Sequence, residues 1–204
     1  IRLGSDLRKA GVEAVALCLL HSYADNSHEE SVARLLSEAG LCVSVSSRLV
    51  NEYREYERAS TCAVNAAVGP VVSRYLKRLE AGLGSHGLKN LRVMGSNGGA
   101  LSPAAAGDQA VRTVLSGPAA GVRAAVHVGR QIGMTRLISF DMGGTSTDVC
   151  LIDGQVRTTG EAMVAGHPTR IPTIDIHTVG AGGGSVAWRD AGGALRVGPA
   201  SAGA

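Results

Sequence analysis

Apolar and polar positions divide the chain into two textures. Up to about Gly133, apolar runs alternate with stretches of helical period. Val12–His21 (VEAVALCLLH) is apolar apart from Glu13 and its final histidine, the pattern of a strand buried on both faces. Asn26 or Ser27 then caps a helix predicted to run to about Ala39, with Glu29 and Glu30 in its first turn, where the helix dipole favours acids. Gly40 ends that helix, and Cys42–Ser46 reads as the next strand. Strand, helix and strand make one βαβ unit, which predicts a parallel pair with a right-handed crossover. Tyr53–Leu83 is mostly a long helix, with a kink or break predicted at Gly69-Pro70 because proline lacks the backbone donor. Asn90–Ser96 reads as a strand running into Asn97-Gly98-Gly99. Gly117–Ile132 reads as a helix with Ser116 as N-cap and Pro118 in its first turn.

Beyond Gly133 the elements shorten and alternate with period two. Arg136–Asp141, Thr147–Ile152 and Gln155–Thr159 predict an antiparallel meander, its second connection being the two-residue turn Asp153-Gly154. Thr173–His177 is a further strand, followed by the loop Gly180–Gly184. A last hairpin pairs Val186–Arg189 with Leu195–Val197 through Ala191-Gly192-Gly193. The change of texture predicts two domains, residues 1–133 and 134–204.

Composition narrows the chemistry. At 45% hydrophobic and 18% charged residues, 204 residues can bury a sizeable core. With aromatics at 3%, that core must be aliphatic, and no platform for stacking bases exists. A net charge of +3, without a Lys/Arg run, argues against a nucleic-acid groove. The most apolar stretch, Val12–Leu20, is too short to span a membrane. Cys18, Cys42, Cys62 and Cys150 are far apart, without a C-x-x-C pair. They read as small buried hydrophobes in a reduced, cytoplasmic setting rather than as a disulfide framework or zinc knuckle. The opening on Ile1, with neither an initiator Met nor a signal pattern, reads as the interior of a longer protein.

The sharpest chemical signal is Asp141-Met142-Gly143-Gly144-Thr145-Ser146-Thr147-Asp148. A carboxylate at the end of a strand is compensated by a bound cation and its waters. The adjacent glycines leave backbone N–H groups bare for phosphate oxygens, and Thr145, Ser146 and Thr147 add hydroxyls. Asp148, opening the return strand, can orient a water or the metal shell. The bland alternative is a glycine hairpin with an Asp-capped turn. A second candidate is Asp175 with His177, predicted to share one strand face and so to reach one metal or one carbonyl, leading into Gly182, Gly183 and Gly184. Against it stands a hydrogen-bonded pair beside a flexible turn, and two ligands do not make a metal site. Asn97 and Ser116 form a third candidate, at a predicted strand end and helix start, where parallel α/β sheets place ligands. A turn and an N-cap explain them equally well. Tyr53–Arg58 (YREYER) reads as a solvated or partner-facing helix start. No G-x-x-x-x-G-K-[ST] occurs, and Gly180-Ala181-Gly182-Gly183-Gly184-Ser185 matches the dinucleotide fingerprint poorly.

Asp141–Asp148 between two strands resembles the second phosphate hairpin of the actin-like ATPase superfamily. Taken with Gly11–Tyr23, Glu55–Val72, Gly95–Gly99 (GSNGG), Leu115–Val122 (LSGPAAGV), Asp175–Trp188 and Gly198–Ala204, it resembles the ATPase (A-type) subunit of the hydantoinase/5-oxoprolinase family. The resemblance implies an α/β fold of ribonuclease-H-like lobes, this chain holding the end of the first lobe and the start of the second. It implies ATP and Mg²⁺ as cofactors. Asp141 would order the metal, Gly143, Gly144, Thr145 and Thr147 would contact phosphates, and Asp148 would polarise a nucleophile or metal water. Gly182–Gly184, Asp175 and His177 would serve nucleotide or substrate. The implied reaction is ATP-driven opening of a cyclic amide, such as a hydantoin or 5-oxoproline. Alternatives are ATP-driven ketone carboxylation or a non-catalytic actin-like nucleotide module. The implied partners are the small amide, a B-type subunit or fused domain, and further copies in an oligomer. Only one such hairpin occurs, so the chain alone is expected to bind nucleotide poorly and turn nothing over.

Overall fold

The parallel pair is present: β1 (Ala14–Leu17) and β2 (Cys42–Val45) run in register from Ala14↔Cys42 to Leu17↔Val45. This computed structural model describes residues 2–203. Helix α1 (Arg2–Lys9) precedes the pair and α2 (Ser27–Glu38) crosses between its strands. Strand β1 is shorter than the apolar run because the N–H of Leu19 turns away to the Glu29 carboxylate (2.8 Å). Gly40, at φ +81°, ends the α2 segment in a backbone state that favours glycine. Leu17, Ala33 and Val45 form the small core under this unit.

Helix α3 (Ser46–Leu49) follows directly, and α4 (Glu55–Ser85) is the longest element. Of the kink or break predicted at Gly69-Pro70, the break is absent: α4 runs through Pro70. Cys62, Asn65, Ala66, Pro70 and Leu76 are buried along it, and burying that stripe outweighs the roughly 3 kcal/mol that an interior proline costs. Beyond it come β3 (Val93–Met94), β4 (Ala100–Leu101), α5 (Pro103–Asp108) and a 3₁₀ turn at Ala110–Thr113. The core at this end joins Leu49, Val50, Cys62, Val111 and Ile171.

The second texture opens with α6 (Ser116–Gln131), then β5 (Arg136–Met142), β6 (Thr147–Asp153) and β7 (Gln155–Val156), the antiparallel meander the alternation predicts. Next are β8 (Thr158–Thr159), β9 (Ala162–Val164), β10 (His167–Thr169) and β11 (Thr173–Ile174). The chain ends with β12 (His177–Val179), β13 (Ser185–Arg189) and β14 (Leu195–Ser201). Strand β12 adds antiparallel to β6, and β13 pairs with β14. Leu137, Cys150, Ile152 and Ile174 pack with Ala119 and Val122 of α6.

The chain divides into two compact units, but not at Gly133. One holds the chain through Ser116 together with Thr159–Thr173; the other holds Gly117–Thr158 and the chain from Ile174 onward. Helix α6 joins the second unit because its apolar face is the cover of the β5–β6 sheet. The β9–β10 hairpin joins the first because the Arg170 N–H donates to Thr61 Oγ1 on α4 (2.9 Å), and Arg170 pairs with Glu52 and Glu161.

Candidate functional site

The hairpin of β5 and β6 builds the site. Leu137 pairs with Ile152 and Ser139 with Cys150, on the face covered by α6. The same register sets Asp141 directly opposite Asp148. Both carboxylates line a cleft of about 390 Å³ in the second unit, walled by Pro118, Gly121, Val122 and Ala125 of α6. Like charges facing each other across two strands destabilise the pair unless a cation lies between or beside them.

The connecting turn is closed by one bond, Gly143 N–H to Ser146 O (2.9 Å). No protein acceptor among the described residues takes the N–H of Gly144, Thr145 or Ser146. Gly144 and Ser146 are half-buried and Thr145 is exposed, so three donors cluster at one bend beside the two acids. That donor set suits an anion, and the facing acids suit a hydrated divalent cation, which takes one or two carboxylates and keeps several waters. Residues 141–148 therefore fit a magnesium-bound phosphate chain.

The loop Gly180–Gly184 has a different place from the one its sequence suggests. Gly183 N–H donates to Gly143 O and Gly184 N–H to Gly144 O, each at 2.9 Å, and Gly182 N–H donates to Ser185 Oγ (2.8 Å). These amides are committed to protein, so the loop braces the turn from behind rather than cradling phosphate itself. A Cβ on Gly182 would lie 2.5 Å from Gly143 O and 2.7 Å from Thr145 N, which explains the glycine. Thr147 is corrected in the same way: it is buried, and its hydroxyl donates to Ala181 O (2.6 Å).

Asp175 and His177 do not share a strand. Asp175 lies in the link between β11 and β12, its N–H donating to Arg157 O (3.0 Å), and both side chains are exposed. Among the described residues no group of three or more His, Cys, Asp or Glu side chains is placed to hold a metal. Asn97 and Ser116 belong to the first unit. Asn97 stands in the β3–β4 hairpin turn, where its Oδ1 accepts from Gly99 N–H and Gly98 has φ +75°. Ser116 is the first residue of α6 rather than its cap. The two are linked through buried Ser96, whose hydroxyl accepts from Leu115 N–H and donates to Arg112 O.

Arg58, expected on a solvated or partner-facing helix start, is fully buried, donating to Leu19 O (2.7 Å) with its guanidinium 5.6 Å from the Tyr23 ring. Of the cysteines, Cys62 and Cys150 are buried and Cys42 is exposed, because Cys42 opens a strand at its outer end. Burial pushes the Cys62 thiol up to about 12, so it packs rather than reacts. Thr178 and Ser185, which hold Asp148 and Gly182, carry no sequence signal of their own. Their roles depend on strand register and loop path.

Residues 58–204 match the family model described as hydantoinase/oxoprolinase, and residues 3–40 match its N-terminal region. Caprolactamase subunit alpha of Pseudomonas jessenii is 36% identical over 201 residues, covering 97% of this chain and 29% of that protein. The 5-oxoprolinase of Saccharomyces cerevisiae is 36% identical over 211 residues, covering 97% of this chain and 15% of that protein. The crystal structure of the ATP-dependent caprolactamase from Pseudomonas jessenii superposes with a TM-score of 0.86 at 34% identity, over 97% of this chain and 29% of that chain. Nucleotide-free acetone carboxylase, whose ATP-dependent carboxylation mechanism that structure addresses, superposes at 0.77 and 30% identity, over 98% of this chain and 29% of that chain. The chain thus spans less than a third of the length of these relatives.

Proposed function

Because the chain belongs to the hydantoinase/oxoprolinase family, we propose that it supplies one phosphate-gripping hairpin of an enzyme that uses ATP to open a cyclic amide. One observation carries this reading: Asp141 and Asp148 face each other at a cleft beside three amides without acceptors among the described residues. In this role Asp141 holds the hydrated Mg²⁺ of MgATP. Gly144, Thr145 and Ser146 offer their N–H groups to phosphate oxygens. Gly143 closes the turn that presents them, and Gly182–Gly184 brace it. Asp148 orients and polarises the attacking group. When bound, ATP would supply a phosphoryl group that activates the amide carbonyl oxygen, so that water adds to the carbonyl carbon, the ring C–N bond breaks and phosphate is released; the residues named here contribute positioning and charge neutralisation.

The two compact units correspond, on this reading, to the end of one ribonuclease-H-like lobe and the start of the next. The second phosphate hairpin and the amide site come from the rest of a longer protein or from a B-type partner subunit. Supporting the hydrolase reading are the relatives bearing the names 5-oxoprolinase and caprolactamase. The acetone carboxylase likeness favours a second reading, carboxylation of a ketone.

The test is ADP release by the complete protein with 5-oxoproline, caprolactam, or acetone plus bicarbonate. Amide-dependent turnover that falls at least a hundredfold in Asp141→Asn supports the proposal, the scale expected for losing a metal-holding carboxylate, about 2.7 kcal/mol or more. Bicarbonate-dependent turnover with the ketone selects the second reading. Full activity of Asp141→Asn overturns both.

A further inference from the structure

Asp148 has a neighbour on its other side. Strand β12 pairs with β6 in a register that sets Thr178 opposite Asp148, just as β5 sets Asp141 opposite it. The three residues form one row across the strand order β12-β6-β5. Thr178 Oγ1 donates to Asp148 Oδ1 at 2.6 Å, short for a hydroxyl–carboxylate bond and therefore of the charge-assisted kind. From this row we infer that Thr178 is the positioning residue for Asp148, acting through that carboxylate rather than on any ligand. The inference rests on the role proposed above for Asp148.

The physical need is clear from the row. A carboxylate has a broad, two-fold torsion about its terminal bond, and repulsion from Asp141 would swing it away from the cleft. A β-branched threonine on a strand has a stiff χ1, so its hydroxyl is a fixed donor. By engaging Oδ1, it leaves one oxygen of Asp148 for other work. Asp148 lines the cleft, whereas Thr178 does not. The rest of Thr178 is exposed, so its hydroxyl is not needed to fill a core. The β12 strand is held at this register by Thr147, next to Asp148, whose hydroxyl ties β6 to Ala181 in the loop that follows β12.

A residue that orients a catalytic group without touching the nucleotide alters turnover and leaves binding alone. In the complete protein, Thr178→Val is expected to lower kcat for ATP turnover by about ten- to a hundredfold, the worth of one hydrogen bond to a charged group. KM for ATP stays within about twofold, since uniform binding is untouched. Thr178→Ser, which keeps the hydroxyl, is expected to restore most of the rate. The thermal midpoint of both variants matches the parent, as an exposed strand position predicts. Unchanged kcat in Thr178→Val, or equal loss in the valine and serine variants, overturns the inference. Asp148→Asn in the same assay separates the two levels. If it abolishes turnover while Thr178→Val does not lower it, only the positioning role fails. If it leaves turnover intact, the role of Asp148 itself fails.

Discussion

Glu29 shows how a single side chain sets the first unit. It is fully buried at the start of α2, and its two oxygens take the Leu19 N–H, the Ser46 hydroxyl and the Ser47 N–H. Burial alone would raise its carboxyl, but those hydrogen bonds outweigh burial and hold it below the ordinary carboxylate range. A carboxyl whose folded-state value is lowered contributes stability that is present above its unfolded value, about 4.3, and is lost as pH falls below it. Urea unfolding of the chain at pH 7 and at pH 3.5 should therefore show a loss that is smaller in Glu29→Gln. At pH 7, Glu29→Ala is expected to cost about 2–4 kcal/mol, because it strands three donors, two of them in buried bonds. The acid in the first helical turn was legible in the sequence as a dipole partner. That it clasps the ends of two strands was not, because Leu19 and Ser46 meet it only after the βαβ crossover has closed.

Among the elements, the hairpin and the glycine loop work as a pair. The alternation from Arg136 to Ile152 was enough to predict both strands and their turn, since a period of two admits one pairing that buries Leu137, Cys150 and Ile152 together. The loop at Gly180–Gly184 reads in sequence as backbone that serves nucleotide or substrate, and its amides at Gly182, Gly183 and Gly184 bond to Ser185, Gly143 and Gly144. Gly182→Ala tests this division of labour. Its Cβ would press on the backbone of Gly143, Gly144 and Thr145, so the turn must shift, with an expected loss of about 1–3 kcal/mol by thermal or urea unfolding. In the complete protein it should also raise KM for ATP, although the loop donates nothing to the nucleotide. Gly160→Ala, where a Cβ meets nothing within 4 Å, is the control and should lie within about 0.5 kcal/mol of the parent. Pro70 teaches the opposite lesson to the hairpin. A strong local breaker was overruled because a buried stripe runs along α4 on both sides of it.

For the whole molecule, one hairpin with one facing pair of acids is half of the phosphate clamp proposed above. The chain as given is expected to show no measurable ATP turnover in a coupled ADP assay, whereas the function proposed above has the complete protein turning ATP over with a cyclic amide. Turnover by the chain alone, lost in Asp141→Asn, would mean that the hairpin needs no second clamp. The sequence by itself determined the elements whose signal is local: the βαβ pair, the long helix, the meander and the Asp141–Asp148 motif. Periodicity and glycine placement act over a few residues, so they survive without knowledge of the fold. Only tertiary structure decided that α6 and the sheet share a unit, that 159–173 returns to α4, and that Thr178 donates to Asp148. Each of these depends on which distant surfaces bury one another and in what register, and a register is a property of two strands, written in neither alone.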